Sequence, residues 1–100
     1  MYRFCRTAQP RSGRGADATK LATEVAAYAT AKYAPLVMQA YTEMFGQLWR
    51  LHWYIDFPDL AALEKFNDQL ATDEGYWAIL RKLPDVYVDG SVHDTRIRLL

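Results

Sequence analysis

Apolar and polar residues alternate along two stretches in the middle of the chain, and a short breaker separates them. The stretches cover residues 36–45 and 48–57, and Gly46-Gln47 stands between them. A period of two is typical of strands with one buried face, and a Gly-containing dipeptide suits a two-residue hairpin turn. The pattern therefore predicts a β-hairpin whose strands run up to Gly46-Gln47.

The register of this hairpin follows from the chemistry of the paired positions. If Phe45 opposes Leu48, then Glu43 opposes Arg50, which is a favourable opposite-charge pair. A slip of one residue would turn every side chain to the other face. One face is then apolar, and the other is polar but rich in rings. That second face carries Gln39, Tyr41, Glu43, Phe45, Leu48, Arg50, His52 and Tyr54.

The segment before the hairpin predicts a strand and a helix. Residues 1–8 alternate as a strand, and residues 9–15 contain the breakers of a loop. Asp17 is a plausible N-cap for a helix that runs to about Tyr33, with a helical stripe of apolar residues. Pro35 then ends the helix, because the residue before a proline disfavours helical geometry.

The segment after the hairpin predicts two further helical stretches. Pro58 suits the first turn of a helix that continues through Leu70. A second stretch follows an interruption, and either Thr72 or Asp73 would cap it. Pro84 ends this second stretch.

A final alternating stretch, Ser91–Leu100, completes the order strand, helix, hairpin, helix, strand. This order is the split β-α-β arrangement of ferredoxin-like domains, with a four-stranded antiparallel sheet and both helices on one face. We therefore predict a single α+β domain over residues 1–100. The other sheet face is ring-rich and bare, and a second copy of the chain is its natural cover.

Composition narrows the classes of function. The formal net charge is zero, which argues against a nucleic-acid binder and a polybasic membrane anchor. Cys5 is the only cysteine, so we expect neither an intramolecular disulfide nor a cysteine metal site, and we place Cys5 in the core. No stretch predicts a signal sequence or a membrane span, so a cytoplasmic location is the expectation. The number of aromatic side chains, including Trp49, Trp53 and Trp77, is larger than the core of a small domain usually holds.

Three segments resemble the dimeric α/β-barrel superfamily. They are the loop from Arg6 to Gly15, the aromatic hairpin with Phe45-Gly46 and Leu51-His52-Trp53, and the segment Asp73-Glu-Gly-Tyr-Trp77. Within that superfamily the chain is most similar to NIPSNAP-like proteins and small bacterial relatives, with the antibiotic-biosynthesis monooxygenases as more distant cousins. The resemblance covers nearly the whole chain.

The resemblance implies a homodimer whose two sheets form a barrel, with a pocket between sheet and helices. Some members of the superfamily are cofactor-free oxygenases of aromatic compounds, others cyclise polyketides, and others degrade haem. The oxygenases hold substrate with an Asn and an aromatic residue of the second helix, and Asn67 and Trp77 match those positions. The haem degraders use a histidine of the second helix, which this chain lacks there.

The residues of the hairpin offer one catalytic constellation. His52 could act as a general base, Tyr54 or Tyr41 could bind a phenol or enolate oxygen, and Arg50 could hold an anion. Trp53 is the ring beside them that would complete a ligand site. In the other interpretation, Glu43 and Arg50 form a cross-strand ion pair, and the histidine and tyrosines fill a dimer interface.

Two hypotheses about function remain open on the sequence, and so does the question of whether the protein is an enzyme. One is a homodimer that binds a small aromatic or polyketide-like molecule and acts as a cofactor-free monooxygenase or cyclase. The other is a non-catalytic dimeric accessory protein. Neither requires a cofactor or a metal, and the two histidines lack the spacing of a metal site.

Overall fold

The computed structural model describes residues 1–46 and 48–100 and shows four strands and four helices in those ranges. The strands form one antiparallel sheet, in which the first strand of the chain pairs with the third and the fourth, and the second pairs with the third. This arrangement confirms the predicted α+β, ferredoxin-like fold. In chain order the elements are β1 (Tyr2–Ala8), α1 (Gly15–Lys32), β2 (Met38–Thr42), β3 (Leu51–Phe57), α2 (Leu60–Ala71), α3 (Glu74–Leu80), α4 (Leu83–Val86) and β4 (His93–Arg98).

The predicted register of the hairpin is confirmed between β2 and β3. Tyr41 pairs with His52 and Gln39 pairs with Tyr54, so the polar members of both strands share one face. The register holds because any slip would expose the apolar residues that alternate with them.

The predicted strand bounds at the hairpin tip are wrong, whereas the predicted turn at Gly46-Gln47 stays a prediction because it includes Gln47. The strands separate earlier, since β2 ends at Thr42 and β3 begins at Leu51, and Gln47 lies outside the described residues. Trp49 interrupts the second run, because its φ of 66° belongs to the left-handed region rather than to a strand. Its ring packs on Gly15, where any Cβ would come within 2.6 Å of it.

The helix starts also differ from the prediction. Helix α1 begins at Gly15 rather than after Asp17, whose carboxylate instead accepts a hydrogen bond from Arg14 Nε at 2.9 Å. Pro58 does not lie in the first turn of α2, because Asp59 caps that helix by accepting from the Ala62 amide at 2.8 Å. The prediction of Asp73 as a cap is confirmed, since its side chain accepts from the Tyr76 amide.

The core lies between the sheet and the helices. Strand β3 supplies its centre, because Leu51, Trp53, Ile55 and Phe57 alternate with polar residues and are all nearly inaccessible to water. Alanines on α1 allow that helix to pack closely on the sheet. The buried partners from the helices are Ala18, Leu21, Ala22, Val25, Ala26, Ala29, Leu63, Phe66, Tyr76, Ile79 and Val86.

The opposite face of the sheet, which we call the open face, is not covered by any of the four helices in the described part of the chain. Residues that pair directly across adjacent strands point to the same face, so the pairing identifies the members of the open face. Cys5 pairs with Tyr54 and Thr95 on this face and is half-buried, so the prediction that places it in the core is wrong. The open face comprises Arg3, Cys5, Thr7, Gln39, Tyr41, His52, Tyr54, Asp56, His93, Thr95 and Ile97.

Candidate functional site

His52 is held by a carboxylate near the hairpin tip. Its Nε2 lies 2.8 Å from Oε1 of Glu43, and Arg50 Nε lies 3.9 Å from the same oxygen. The Glu43 side chain is only 22% exposed, so water screens this trio less than it screens a surface pair. The predicted pairing of Glu43 with Arg50 is therefore present, and the histidine shares the same acceptor.

The rings of the open face form a continuous row. The His52 and Tyr54 rings stack with a centroid separation of 6.1 Å, and the Tyr41 ring centroid lies 5.5 Å from that of Tyr54. The Arg3 guanidinium stands 5.4 Å above the Tyr54 ring, a cation–π arrangement. The structure thus brings four of the predicted site residues together, namely Tyr41, Arg50, His52 and Tyr54. It places them on an open surface, where Tyr41 is 49% exposed.

The charged groups of the open face beside Tyr54 are paired within the subunit. Arg3 donates two hydrogen bonds to Asp56, at 2.7 and 3.0 Å, and these lower the pKa of that carboxyl. Burial raises the pKa of the neighbouring Cys5 thiol, which favours the neutral form over the reactive thiolate. Because its ions are paired and its thiol is neutral, this part of the open face is better suited to packing against another surface than to proton transfer.

The other three predicted site residues lie away from the open face. Trp53 points to the opposite side of β3, is 3% exposed and donates from Nε1 to the Ala22 carbonyl at 3.2 Å. Trp77 on α3 is 42% exposed and donates to the Leu70 carbonyl at 3.0 Å. Asn67 is half-buried on α2. The seven predicted residues therefore do not form one site.

A narrow gap separates the sheet from the helices beneath strand β1. Its volume is about 10 Å³, no more than one water molecule requires. Arg6 reaches this gap from β1, and two hydrogen bonds to Asp94, at 2.7 and 2.9 Å, hold its guanidinium. The gap is lined by Phe4, Arg6, Val25, Met38, Trp53, Tyr76, Leu80 and Leu83. Aromatic rings, a guanidinium and a phenol thus face each other in this gap below the sheet.

A polar cluster that the sequence analysis does not identify surrounds Asp73. The side chain of this aspartate is 2% exposed, and it accepts hydrogen bonds from the hydroxyls of Tyr28 and Tyr33. The ammonium of Lys32 lies 3.1 Å from it, and the Tyr76 amide completes the set at 3.2 Å. The sequence signal was present, since Tyr28 and Lys32 stand four residues apart on one helix face.

The cluster is electrostatically fixed at neutral pH. Burial alone would raise the pKa of Asp73, but the donors from Tyr33, Tyr28 and Lys32 outweigh it and hold the pKa well below its usual range. Burial and the hydrogen bond to Asp73 raise the pKa of Tyr33 to about 12. At neutral pH a charged acceptor and a protonated donor therefore tie the end of α1 to the start of α3, which suits a structural role.

The described residues contain no group of three histidine, cysteine, aspartate or glutamate side chains arranged to hold a metal ion. Over the same ranges, no helix combines the length and the apolar character that crossing a membrane requires.

Comparison with solved structures shows that the fold is shared. A NIPSNAP domain protein from Burkholderia xenovorans superposes with a TM-score of 0.79 at 17% identity, over 100% of this chain and 95% of that chain. A NIPSNAP family protein from Agrobacterium tumefaciens gives 0.76 at 17% identity, over 97% and 90% of the two chains. An antibiotic biosynthesis monooxygenase gives 0.74 at 10% identity, over 100% and 99%.

These structural neighbours belong to the groups that the sequence resembles, and at such identities they establish the fold alone. No protein-family model matches the sequence, and no curated protein matches it either.

Proposed function

We propose that the protein acts as a homodimer in which two sheets pack through their open faces. The observation that carries the proposal is the exposure of large apolar side chains at the hairpin tip. Phe45 is 94% exposed, Met44 is 81% exposed and Leu48 is 71% exposed. Three exposed apolar side chains within five residues of one another are unfavourable in water, and monomers rarely keep a patch of this kind uncovered.

The polar groups of the open face are compatible with this pairing. Arg3 and Asp56 on the open face, and Glu43 beside it, already have partners within the subunit, so a second sheet would not bury these charges unpaired. In this proposal His52, Tyr54 and Arg50 serve the assembly, with Glu43 fixing the histidine. The protein is then a dimeric module rather than an enzyme that uses the hairpin face.

Replacement of Phe45 by alanine is expected to dissociate the dimer. Each copy would lose the burial of one phenylalanine, about 1.5 to 3 kcal/mol, so the dissociation constant should rise by about two orders of magnitude or more. Sedimentation equilibrium across a concentration series measures it. Leu60→Ala is the matched control, because Leu60 is also exposed but lies on the helix layer. A wild-type protein that is monomeric at micromolar concentration would refute the proposal.

A second function, the binding of a small aromatic molecule, is supported by the gap around Arg6. The rings of Phe4, Trp53 and Tyr76 surround the Arg6 guanidinium in this gap. Small-molecule sites typically combine aromatic rings with a few polar groups in this way. Because the gap holds at most one water, binding requires α3 to move away from the sheet. An oxygenase or cyclase activity on a phenolic compound would take place here, with Arg6 beside the phenolate.

A thermal-shift titration with an anthrone tests this second function. We expect the anthrone to raise the melting temperature, since a ligand that binds only the folded state stabilises it. Tyr76→Phe keeps the ring and removes the hydroxyl, so it should reduce the rise while leaving the fold intact by circular dichroism. If the wild-type protein shows no rise up to the solubility limit, the aromatic-ligand function is wrong.

A further inference from the structure

A groove on the helix side of the molecule is large enough for a small molecule. It lies between the end of α1, the segment that leads into β2 and the first turns of α2. Its volume is about 310 Å³, at the lower limit of the range typical of small-molecule sites. The lining residues are Lys32, Tyr33, Ala34, Pro35, Leu36, Pro58, Ala62, Lys65, Phe66 and Gln69.

The floor of this groove is apolar and rigid. The rings of Tyr33 and Phe66 meet edge to face with a centroid separation of 5.2 Å, and Phe66 in turn packs on the buried Phe57 at 5.4 Å. The hydroxyl of Tyr33 is fixed by Asp73, so its ring cannot swing aside without breaking that hydrogen bond. A flat ring could lie on this floor at little cost in conformational entropy, because the side chains beneath it are already held.

The charge at the rim has one sign. Lys32 and Lys65 both line the groove, and none of the lining residues is acidic. Lys32 is engaged by Asp73, whereas Lys65 makes no ion pair or hydrogen bond with any other described residue. The Gln69 amide lies one helical turn beyond Lys65 and adds a neutral donor to the same rim. An ammonium and an amide beside an apolar floor are suited to a single carboxylate on a ring.

From these observations we infer that the groove binds a small aromatic monocarboxylate of the arylacetate type, with its ring on Tyr33 and Phe66 and its carboxylate at Lys65. None of the lining residues belongs to the open face, so pairing of two sheets would leave the groove accessible. The site is also separate from the gap around Arg6, since the two share no lining residue. The inference therefore does not depend on either proposed function.

The test compares 1-naphthylacetate with 1-naphthylacetamide, which has the same ring and no charge. Isothermal titration should show saturable binding of the acid and at least several-fold weaker binding of the amide. Amide chemical shifts in ¹⁵N-labelled protein should move at Tyr33, Ala62 and Phe66, and not at Phe4 or Tyr76. Lys65→Gln should weaken binding of the acid about fivefold, the effect of removing one partly exposed ion pair.

Lys20→Gln is the control variant, because Lys20 is an exposed lysine of α1 that does not line the groove. Equal affinity for the acid and the amide, an equal effect of the two lysine variants, or shifts confined to the gap around Arg6 would each overturn the inference. Loss of binding on dimerisation would show instead that a second copy occupies the groove. Circular dichroism of both variants excludes misfolding as the cause of any loss.

Discussion

Replacement of Asp73 by alanine is expected to lower the free energy of unfolding by about 3 to 5 kcal/mol, because two partly buried hydroxyls lose their acceptor and α3 loses its cap. The substitution would leave the hydroxyls of Tyr28 and Tyr33 and the ammonium of Lys32 without their common acceptor. It would also remove the N-cap of α3. Loss of this cap accounts for about 1 kcal/mol of the expected total. Chemical denaturation measures the change directly.

Two other variants separate the charge of Asp73 from its shape. Asp73→Asn retains the volume and one acceptor oxygen, so it should cost less than alanine but should still weaken the contact with Lys32. Asp68→Ala is the matched control on the exposed side of α2, where we expect a change within about 0.5 kcal/mol. Equal stability of the Asp73 and Asp68 alanine variants would contradict the structural role of the cluster.

The same cluster determines how stability depends on pH. The folded-state pKa of Asp73 is depressed, so its contribution is present above the unfolded value of about 4 and is lost as the pH falls towards the folded value. The pKa of Tyr33 is raised to about 12, so its contribution is present below the unfolded value of about 10 and is lost as the pH rises through 12. Asp73→Ala should therefore flatten both the acid and the alkaline limbs of the stability curve.

The sheet could be predicted in detail because its information is local and periodic. The pairing of Tyr41 with His52 follows from alternation and pair chemistry, and the structure reproduces it residue by residue. The hairpin tip could not be predicted in the same way. The backbone of Trp49 is left-handed, and its ring packs on Gly15, a residue more than thirty positions away. The local alternation of apolar and polar residues gives no information about a contact between residues so far apart in the chain.

The candidate site was less predictable than the fold for a related reason. Alternation along β3 shows that His52 and Trp53 point to opposite sides of the sheet, whereas ring type alone groups them as one site. The cluster of Asp73 with Tyr28 and Tyr33 joins residues at least forty positions apart, which the packing of α1 on α3 brings together. Gly75 completes this close approach, since a Cβ there would lie 2.3 Å from the Tyr28 hydroxyl oxygen.

Trp53→Ala is the substitution that best separates a core residue from a ligand-binding one. Trp53 is 3% exposed, donates to the Ala22 carbonyl and meets Tyr87 edge to face at 6.0 Å. Removal of this ring would open a cavity below β3 and remove one hydrogen bond between β3 and α1, so we expect a loss of about 3 to 5 kcal/mol in unfolding free energy.

Trp77→Ala provides the matched comparison, because Trp77 is 42% exposed and also donates one indole N–H to a carbonyl. It should cost about 1 kcal/mol, the value of that hydrogen bond. If the Trp53 variant unfolded at the same denaturant concentration as the Trp77 variant, the Trp53 ring would not be a core element. Its predicted role in ligand binding would then be the better explanation. A large difference between the two variants would show that β3 uses Trp53 to attach α1 to the sheet, and that any aromatic ligand has to bind beside this ring without replacing it.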